Sequence, residues 1–179
     1  MQQEEEVKVV VFDLNGTFYN ESSKDKFYRF ICARRPGRLK YLFEMGYYHV
    51  LLKAHAIRKT EFKENFFNYL DDFSPSQVKE FANEFWQQEF PVNFNEKLMQ
   101  RFKELKQEGN LIFCATGGLE FYVKPLFDLY EIDGFAGTKV KYNGHSYIAD
   151  GPACKDEVKI VRLEEFLKGK PHSIIVAYS

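Results

Sequence analysis

The sequence predicts an α/β protein in which a parallel β-sheet is covered by helices on both faces. Two observations lead to this prediction. Short apolar runs rich in β-branched residues recur along the 179 residues, and amphipathic helical patterns lie between them. Because strands of a parallel sheet are buried on both faces, they appear in a sequence as nearly continuous apolar runs. A helical insertion and a small β-hairpin are expected beside this core.

Three segments predict buried strands: Val7–Phe12, Leu111–Ala115 and Ser173–Tyr178. The first is followed by a polar turn and the second by two glycines. After residue 135 the pattern changes, and the Asn-Gly pair within Tyr142–His145 is typical of a tight hairpin. We therefore expect a short antiparallel excursion there.

Helices are predicted between these strands. Asn95 is a good N-cap for a helix that stops at Gly109. The ranges Leu119–Tyr130 and Asp156–Leu167 also have helical patterns, and Pro125 predicts a kink or a late start in the first of them. The apolar side of the second is expected to comprise Val158, Val161, Phe166 and Leu167.

Residues 24–91 show no buried-strand pattern and are helical in texture, so we interpret them as a cap inserted into a core formed by residues 1–23 and 92–179. Residues 24–60 contain ten Lys or Arg and two acidic residues, whereas residues 61–108 contain ten acidic and six basic residues. The basic run predicts a solvated helix face, or alternatively an electropositive wall for an anionic substrate or a membrane. The segment is also rich in aromatics, for which a packed core is the simpler interpretation than an exposed apolar wall.

Composition excludes several classes of function. The net charge of −1 argues against a dedicated nucleic-acid binder, and no apolar stretch is long enough to span a membrane. The run 41–52 is apolar with a basic rim, but core packing explains it more simply, so membrane contact is not expected.

The acidic N-terminus differs from a secretory leader, and three scattered cysteines do not form a disulfide framework. A cytoplasmic protein is expected, and the sequence gives no indication of its oligomeric state.

Chemically active residues follow two of the predicted strands. Asp13 comes directly after the first strand, and Thr116 and Gly117 come directly after the second. Ligands of open parallel sheets bind at the carboxyl ends of the strands. A carboxylate at that edge can attack phosphorus or carbon and form a covalent intermediate, although a single Asp after a strand more often caps a turn.

Taken together, three motifs resemble the haloacid dehalogenase superfamily, in its phosphoserine phosphatase-like branch. The stretch Val9-Val10-Val11-Phe12-Asp13-Leu14-Asn15-Gly16-Thr17 is similar to the first signature, an apolar strand followed by Asp-x-Asp-Gly-Thr. The strand ending in Ala115-Thr116-Gly117-Gly118 resembles the second. The stretch from Cys154 to Leu163 resembles the third, with Lys159 as the functional lysine and Lys155 as the less favoured candidate. The resemblance implies a Rossmann-like three-layer α/β/α core with an inserted helical cap.

The resemblance also implies residue roles. Asp13 would be the nucleophile, and Asn15 occupies the position of the acid–base residue. Gly16, Thr116, Gly117 and Lys159 would contact the phosphate, with Lys159 also offsetting negative charge. Mg²⁺ would be bound by Asp13 and by the backbone carbonyl of Asn15.

This sequence departs from the family pattern at two points. Asn15 stands where phosphatases of the superfamily carry a second Asp, and an amide cannot shuttle a proton. The fourth signature, with its metal-binding acid, would follow Ile174–Ser179, where the sequence stops; the simpler explanation is that the chain is a fragment of a longer one.

Three functions therefore stay open. The expected one is a Mg²⁺-dependent phosphomonoesterase that acts through an aspartyl-phosphate on a small phosphorylated metabolite. The first alternative is a binding or regulatory domain that has lost turnover. The second is a 2-haloacid dehalogenase, because a halide leaves without a proton.

Overall fold

A computed structural model of the protein describes residues 6–56 and 68–179. Its main sheet has four parallel strands in the order β3-β2-β1-β6. The strands of this sheet are β1 (Val7–Phe12), β2 (Leu111–Leu119), β3 (Gly134–Thr138) and β6 (His172–Tyr178). Strands β4 (Val140–Tyr142) and β5 (Tyr147–Ala149) form a separate antiparallel hairpin around the predicted Asn-Gly turn.

Six α-helices lie within the described residues. They are α1 (Ser23–Arg34), α2 (Lys40–Lys53), α3 (Pro75–Glu89), α4 (Glu96–Gln107), α5 (Glu120–Leu129) and α6 (Glu157–Leu167). Two 3₁₀ turns, Pro36–Arg38 and Asn68–Leu70, lie among the first three helices. Among the described helices, none is long and apolar enough to cross a bilayer. The predicted basic positions Arg58 and Lys59 lie outside the described residues.

Alternating side chains of the central strands fill two separate cores, which makes the fold three-layered. Val10 and Cys114 point into a large core that also contains residues of α1, α3, α4 and α5. Val9 and Phe113 point to the other face, where Leu163 and Leu167 of α6 cover them. Helices therefore pack on both faces of the sheet, and the predicted α/β architecture is confirmed.

Most aromatic residues of the helical segment belong to the large core. The indole of Trp86 is fully buried and donates a hydrogen bond to the Tyr122 carbonyl. Phe27 stacks on Tyr122 and meets Phe85 edge to face. Aromatic composition here reflects packing of helices α1 and α3 against α5, as the sequence predicts for these residues.

Some details differ from the sequence-based expectations. Strand β2 continues through the glycines to Leu119, and β3 had no counterpart among the predicted strands. Helix α5 begins at Glu120 and carries Pro125 inside it, so a late start does not occur. Val161 is exposed rather than part of the apolar side of α6, where Leu163 takes its place in the core.

The chain enters and leaves the helical segment at one point. Asn20 N donates to Asn93 O at 3.0 Å, and Asn95 N donates to Phe18 O at 2.9 Å. The Asn95 side chain caps α4, as predicted, by accepting from Leu98 N at 3.2 Å. The segments around residues 18–20 and 93–95 therefore form a narrow neck, held by backbone hydrogen bonds.

Candidate active site

Strands β1 and β6 end side by side, with β2 continuing beyond them, and Asp13 lies at this edge of the sheet. Phe12 is in register with Cys114 on one side and with Tyr178 on the other. Asp13 N donates to Tyr178 O at 3.0 Å. The carboxylate that follows β1 is thus placed beside the position where β2 continues into Thr116.

Asp13 contacts Lys159 directly. The Lys159 Nζ atom lies 3.2 Å from Asp13 Oδ2, and both side chains are partly exposed. Leu14 N donates to Asp13 Oδ1 at 2.8 Å, so the backbone fixes the other oxygen. Because α6 begins at Glu157, Lys159 reaches the sheet edge from the first turn of that helix. The pair is neutral overall, and it leaves the carboxylate accessible from outside.

Lys155, the less favoured lysine, lies against a different residue. A Cβ atom on Gly117 would be 3.2 Å from Lys155 Cε, so the lysine stem runs across this glycine. A side chain at Gly117 would therefore require the Lys155 stem to move by a few tenths of an ångström. The structure thus separates the two lysines, one at Asp13 and one over Gly117.

Asn15 is locked between two elements by its side-chain amide. Its Oδ1 accepts from Ser23 N, in the first turn of α1, at 2.8 Å. Its Nδ2 donates to Thr116 Oγ1 at 3.3 Å. A backbone N–H can only donate, so the amide oxygen must face Ser23 and the amide nitrogen must face Thr116.

The hydroxyl of Thr116 is buried and accepts two hydrogen bonds. One comes from Asn15 Nδ2, and the other comes from Gly118 N at 3.1 Å. A hydroxyl has two lone pairs and one proton, so these contacts leave the proton for a third partner. Thr116 is consequently oriented as a hydrogen-bond donor.

Gly16 has a structural role in the turn after β1. Its φ of +76° lies in the left-handed region, and its N–H donates to Tyr19 O at 2.7 Å. Tyr19 N in turn donates to Leu14 O at 2.8 Å. The Gly16 amide is thus already used within the turn. The expected contact of Gly16 with a phosphate stays a prediction.

Thr138 supports the site, and sequence reasoning did not single it out. Its Oγ1 donates to Gly117 O at 3.1 Å and accepts from Cys154 N at 3.0 Å. Thr138 therefore joins the C-terminal part of β2 to the segment that leads into α6. The signal that could have found it is a polar residue at the end of β3, but that strand contains two glycines and was not predicted.

Buried cysteines flank the site without being available as nucleophiles. Burial raises the pKa of the Cys114 thiol well above its ordinary value, and the nearby Asp13 carboxylate raises this pKa further. Burial also raises the pKa of Cys154, against the opposing effect of Lys159. Since the thiolate is the reactive form, burial disfavours both thiols as nucleophiles, and Asp13 stays the predicted nucleophile at this edge.

The oxygen atoms at this edge suit a hard divalent metal ion. Within residues 6–56 and 68–179, no three His, Cys, Asp or Glu side chains gather into a metal-binding group. Mg²⁺ keeps several waters and binds through one or two carboxylates, so it does not need such a cage. The carboxylate of Asp13 and the backbone carbonyl of Asn15 are hard oxygen donors of the kind that Mg²⁺ prefers. These two residues therefore fit the ion.

Comparison with known proteins supports a common fold. A sequence model described as haloacid dehalogenase-like hydrolase matches residues 10–179. A protein of unknown function from Bordetella pertussis Tohama I has a similar structure, with a TM-score of 0.73 and 17% identity over 92% of this chain and 76% of its own. No curated protein sequence is significantly similar to this chain.

Two further structures carry functional names. A phosphoserine phosphohydrolase-like protein from Francisella tularensis has a TM-score of 0.56 and 22% identity over 91% of this chain and 73% of its own. A phosphoserine phosphatase, solved as a phospho-aspartyl intermediate analogue, has a TM-score of 0.57 and 16% identity over 92% of this chain and 72% of its own. At these identities the likeness shows the fold alone.

Proposed function

The chain belongs to the haloacid dehalogenase-like hydrolase family, and on this premise we propose that it cleaves phosphate monoesters through an aspartyl-phosphate on Asp13. The observation that carries the proposal is the contact between Asp13 and Lys159, 3.2 Å apart, at the carboxyl ends of the strands. A lone carboxylate repels a phosphate ester, whereas a carboxylate paired with an ammonium group can approach it.

In the first step a carboxylate oxygen of Asp13 attacks phosphorus, and the bond from phosphorus to the ester oxygen breaks. Lys159 offsets the charge of nucleophile and phosphoryl group together, and the Thr116 hydroxyl donates a hydrogen bond to a phosphoryl oxygen. In the second step water attacks the same phosphorus, which releases inorganic phosphate and restores Asp13. Mg²⁺, held by Asp13 and the Asn15 carbonyl, would supply additional positive charge at the phosphoryl oxygens.

Asn15 determines which substrates react and which step is slow. Its amide cannot protonate a leaving alkoxide, and it cannot take a proton from the attacking water. Esters with leaving groups that need no proton, such as p-nitrophenyl phosphate, should therefore phosphorylate Asp13 readily. Hydrolysis of the aspartyl-phosphate should then limit turnover.

Rapid-mixing kinetics with p-nitrophenyl phosphate and Mg²⁺ tests the proposal. We expect a burst of nitrophenolate that approaches one equivalent per chain, followed by a slow steady state. Asp13→Asn should abolish the burst, whereas Asp25→Asn, a change of an exposed Asp in the first turn of α1, should retain it. A steady state without a burst that persists in Asp13→Asn would overturn the proposal.

A second candidate is a domain that binds a phosphorylated ligand without turning it over. The chemistry of Asn15 favours it, because the amide that Ser23 and Thr116 hold in place cannot exchange a proton. Calorimetry with a phosphate ester that does not react distinguishes the two. Binding that depends on Lys159, with no burst from any ester, would assign the domain to binding alone.

The remaining parts of the chain fit a small phosphorylated metabolite as substrate. We propose that residues 24–91 act as a cap that selects this substrate. The segment begins and ends at the neck, close to Asn15. All three cysteines are unpaired and buried, which suits a reducing compartment such as the cytoplasm.

A further inference from the structure

Helix α2 carries an apolar stripe that faces solvent. Leu39, Phe43, Tyr47 and Val50 follow one another at intervals of four, four and three residues, so they lie along one side of the helix. Their exposed fractions are 44%, 80%, 63% and 64%. The sequence-based expectation of core packing for the run 41–52 is therefore wrong for Phe43, Tyr47 and Val50.

The opposite side of α2 is the one attached to the protein. Tyr41 is partly buried against the large core. The Arg38 guanidinium lies over the rings of Tyr41 and Phe73, 5.7 Å and 4.3 Å from their centroids. With Tyr41 turned inward, the stripe must point outward.

Basic residues border the stripe. Lys40 and Lys53 flank it on the helix, and Arg35 precedes the helix at its N-terminal end. All three are exposed, with Lys40 Nζ 4.9 Å from the Tyr41 ring centroid and the Arg35 guanidinium 5.8 Å from that of Phe81. Over residues 34–56 there are five basic residues and one acidic residue, Glu44. Arg34, which also belongs to this segment, is paired with Glu84 of α3. The surface around the stripe therefore has a net positive charge.

We propose that this face of α2 binds the surface of an anionic lipid membrane, with the stripe in the headgroup region and Arg35, Lys40 and Lys53 against lipid phosphates. Aromatic residues and a basic border are typical of helices that lie in the membrane interface. The 14 residues of α2 extend over about 21 Å, less than the ~30 Å hydrocarbon core, so the helix lies on the bilayer. The basic border is the charge complement of an anionic lipid surface, and this selects a membrane over a neutral apolar partner.

Vesicle flotation with the full chain tests the apolar part of the proposal. Vesicles of phosphatidylcholine with phosphatidylglycerol should carry the protein upward, and vesicles of phosphatidylcholine alone should carry much less. Phe43→Ser with Tyr47→Ser should weaken binding by about tenfold or more. Val92→Ser, at a position 81% exposed but away from α2, is the matched control and should bind like the unaltered chain.

Charge substitutions test the electrostatic part. Lys40→Gln and Lys53→Gln should each weaken binding to anionic vesicles by roughly fivefold. Lys79→Gln with Lys97→Gln, which removes two exposed charges of α3 and α4, should have little effect. Added salt should weaken binding of the unaltered chain, because it screens exposed charges.

Several outcomes would overturn the proposal. Equal binding to neutral and anionic vesicles, or no binding to either, would do so. Binding that is unchanged by the Phe43 and Tyr47 substitutions would assign it to another surface. Self-association in analytical ultracentrifugation that is lost in Phe43→Ser, together with no vesicle binding, would mean that a second copy covers the stripe. The tests need neither metal nor substrate, so their failure is distinct from failure of the proposed hydrolase activity.

Discussion

Replacing Asn15 by Asp should convert a slow enzyme into a faster one. The two side chains have the same shape, so Asp can adopt the observed conformation, with one oxygen accepting from Ser23 N at 2.8 Å. Its other oxygen would take the place of the amide nitrogen, 3.3 Å from Thr116 Oγ1. The substitution thus adds a titratable group without requiring the chain to move.

The size of the gain follows from the position of that group. General acid–base catalysis contributes about 10²–10⁴-fold, equivalent to roughly 3–5 kcal/mol of activation free energy. Ser23 lies in the first turn of α1, where the helix dipole favours the ionised form of an acceptor. The new residue would therefore act mainly as a base toward water, and the gain should appear in hydrolysis of the aspartyl-phosphate.

Stopped-flow measurement of nitrophenolate release provides the assay. Asn15→Asp should retain the burst and raise the steady-state rate by about 10²-fold or more. Asn20→Asp, which changes an exposed Asn in the same loop, adds the same charge nearby and should leave the rate unchanged. If Asn15→Asp folds normally and its steady-state rate stays close to that of the unaltered chain, Asn15 does not limit turnover and the reasoning is refuted.

Three further predictions concern the site and the fold. Lys159→Gln should slow the burst by about 10²-fold, since it removes the cation beside the nucleophile, and Lys155→Gln should affect it far less. Gly134→Ala places a Cβ against the ring of Phe166 in α6 and should lower the free energy of unfolding in urea by about 1–3 kcal/mol. Gly46→Ala, in open space within α2, should raise this free energy by about 0.5–1 kcal/mol. Burial raises the pKa of Tyr122 to about 12, so the unfolded chain loses this proton first as pH rises above about 10. The free energy of unfolding should therefore fall as pH rises through this range, and it should fall less steeply in Tyr122→Phe.

Each of these has a contrary outcome. Equal burst rates in the two lysine variants would remove the special role of Lys159. A Gly134→Ala protein as stable as the unaltered chain would mean that the ring moves aside without cost. An identical decline of stability in alkali for Tyr122→Phe would assign that decline to other groups.

The sheet edge could be predicted from sequence because few residues define it. An apolar strand followed directly by Asp13, and another followed by Thr116, predict where two side chains emerge from a parallel sheet. Lys159 could be placed only through the family resemblance, since a lysine in a helix is by itself uninformative. The hydrogen bonds of Asn15 could not be predicted from the sequence, because they depend on where α1 begins relative to β2 in the folded chain.

Other features depend on contacts that exist only in the folded chain. Strand β3 has one β-branched residue, Thr138, and two glycines, and Gly137 must lie close to the Gly118 carbonyl, where a Cβ would be 2.7 Å away. Residue propensities therefore do not predict this strand, and Thr138 was missed for the same reason. Similarly, the aromatic content of residues 24–91 could not separate buried Phe85 from exposed Phe43, because the two differ only in tertiary surroundings.

The neck between Asn20 and Asn93 brings the two ends of the helical segment together beside the sheet. Since the entering and leaving chains are hydrogen-bonded neighbours, a short linker could join them without redirecting any strand. An exchange of the intervening stretch at this junction must keep the contacts of α1 and α3 with α5, because these helices share the large core. The same junction is where a chimera with the corresponding stretch of another family member should be spliced.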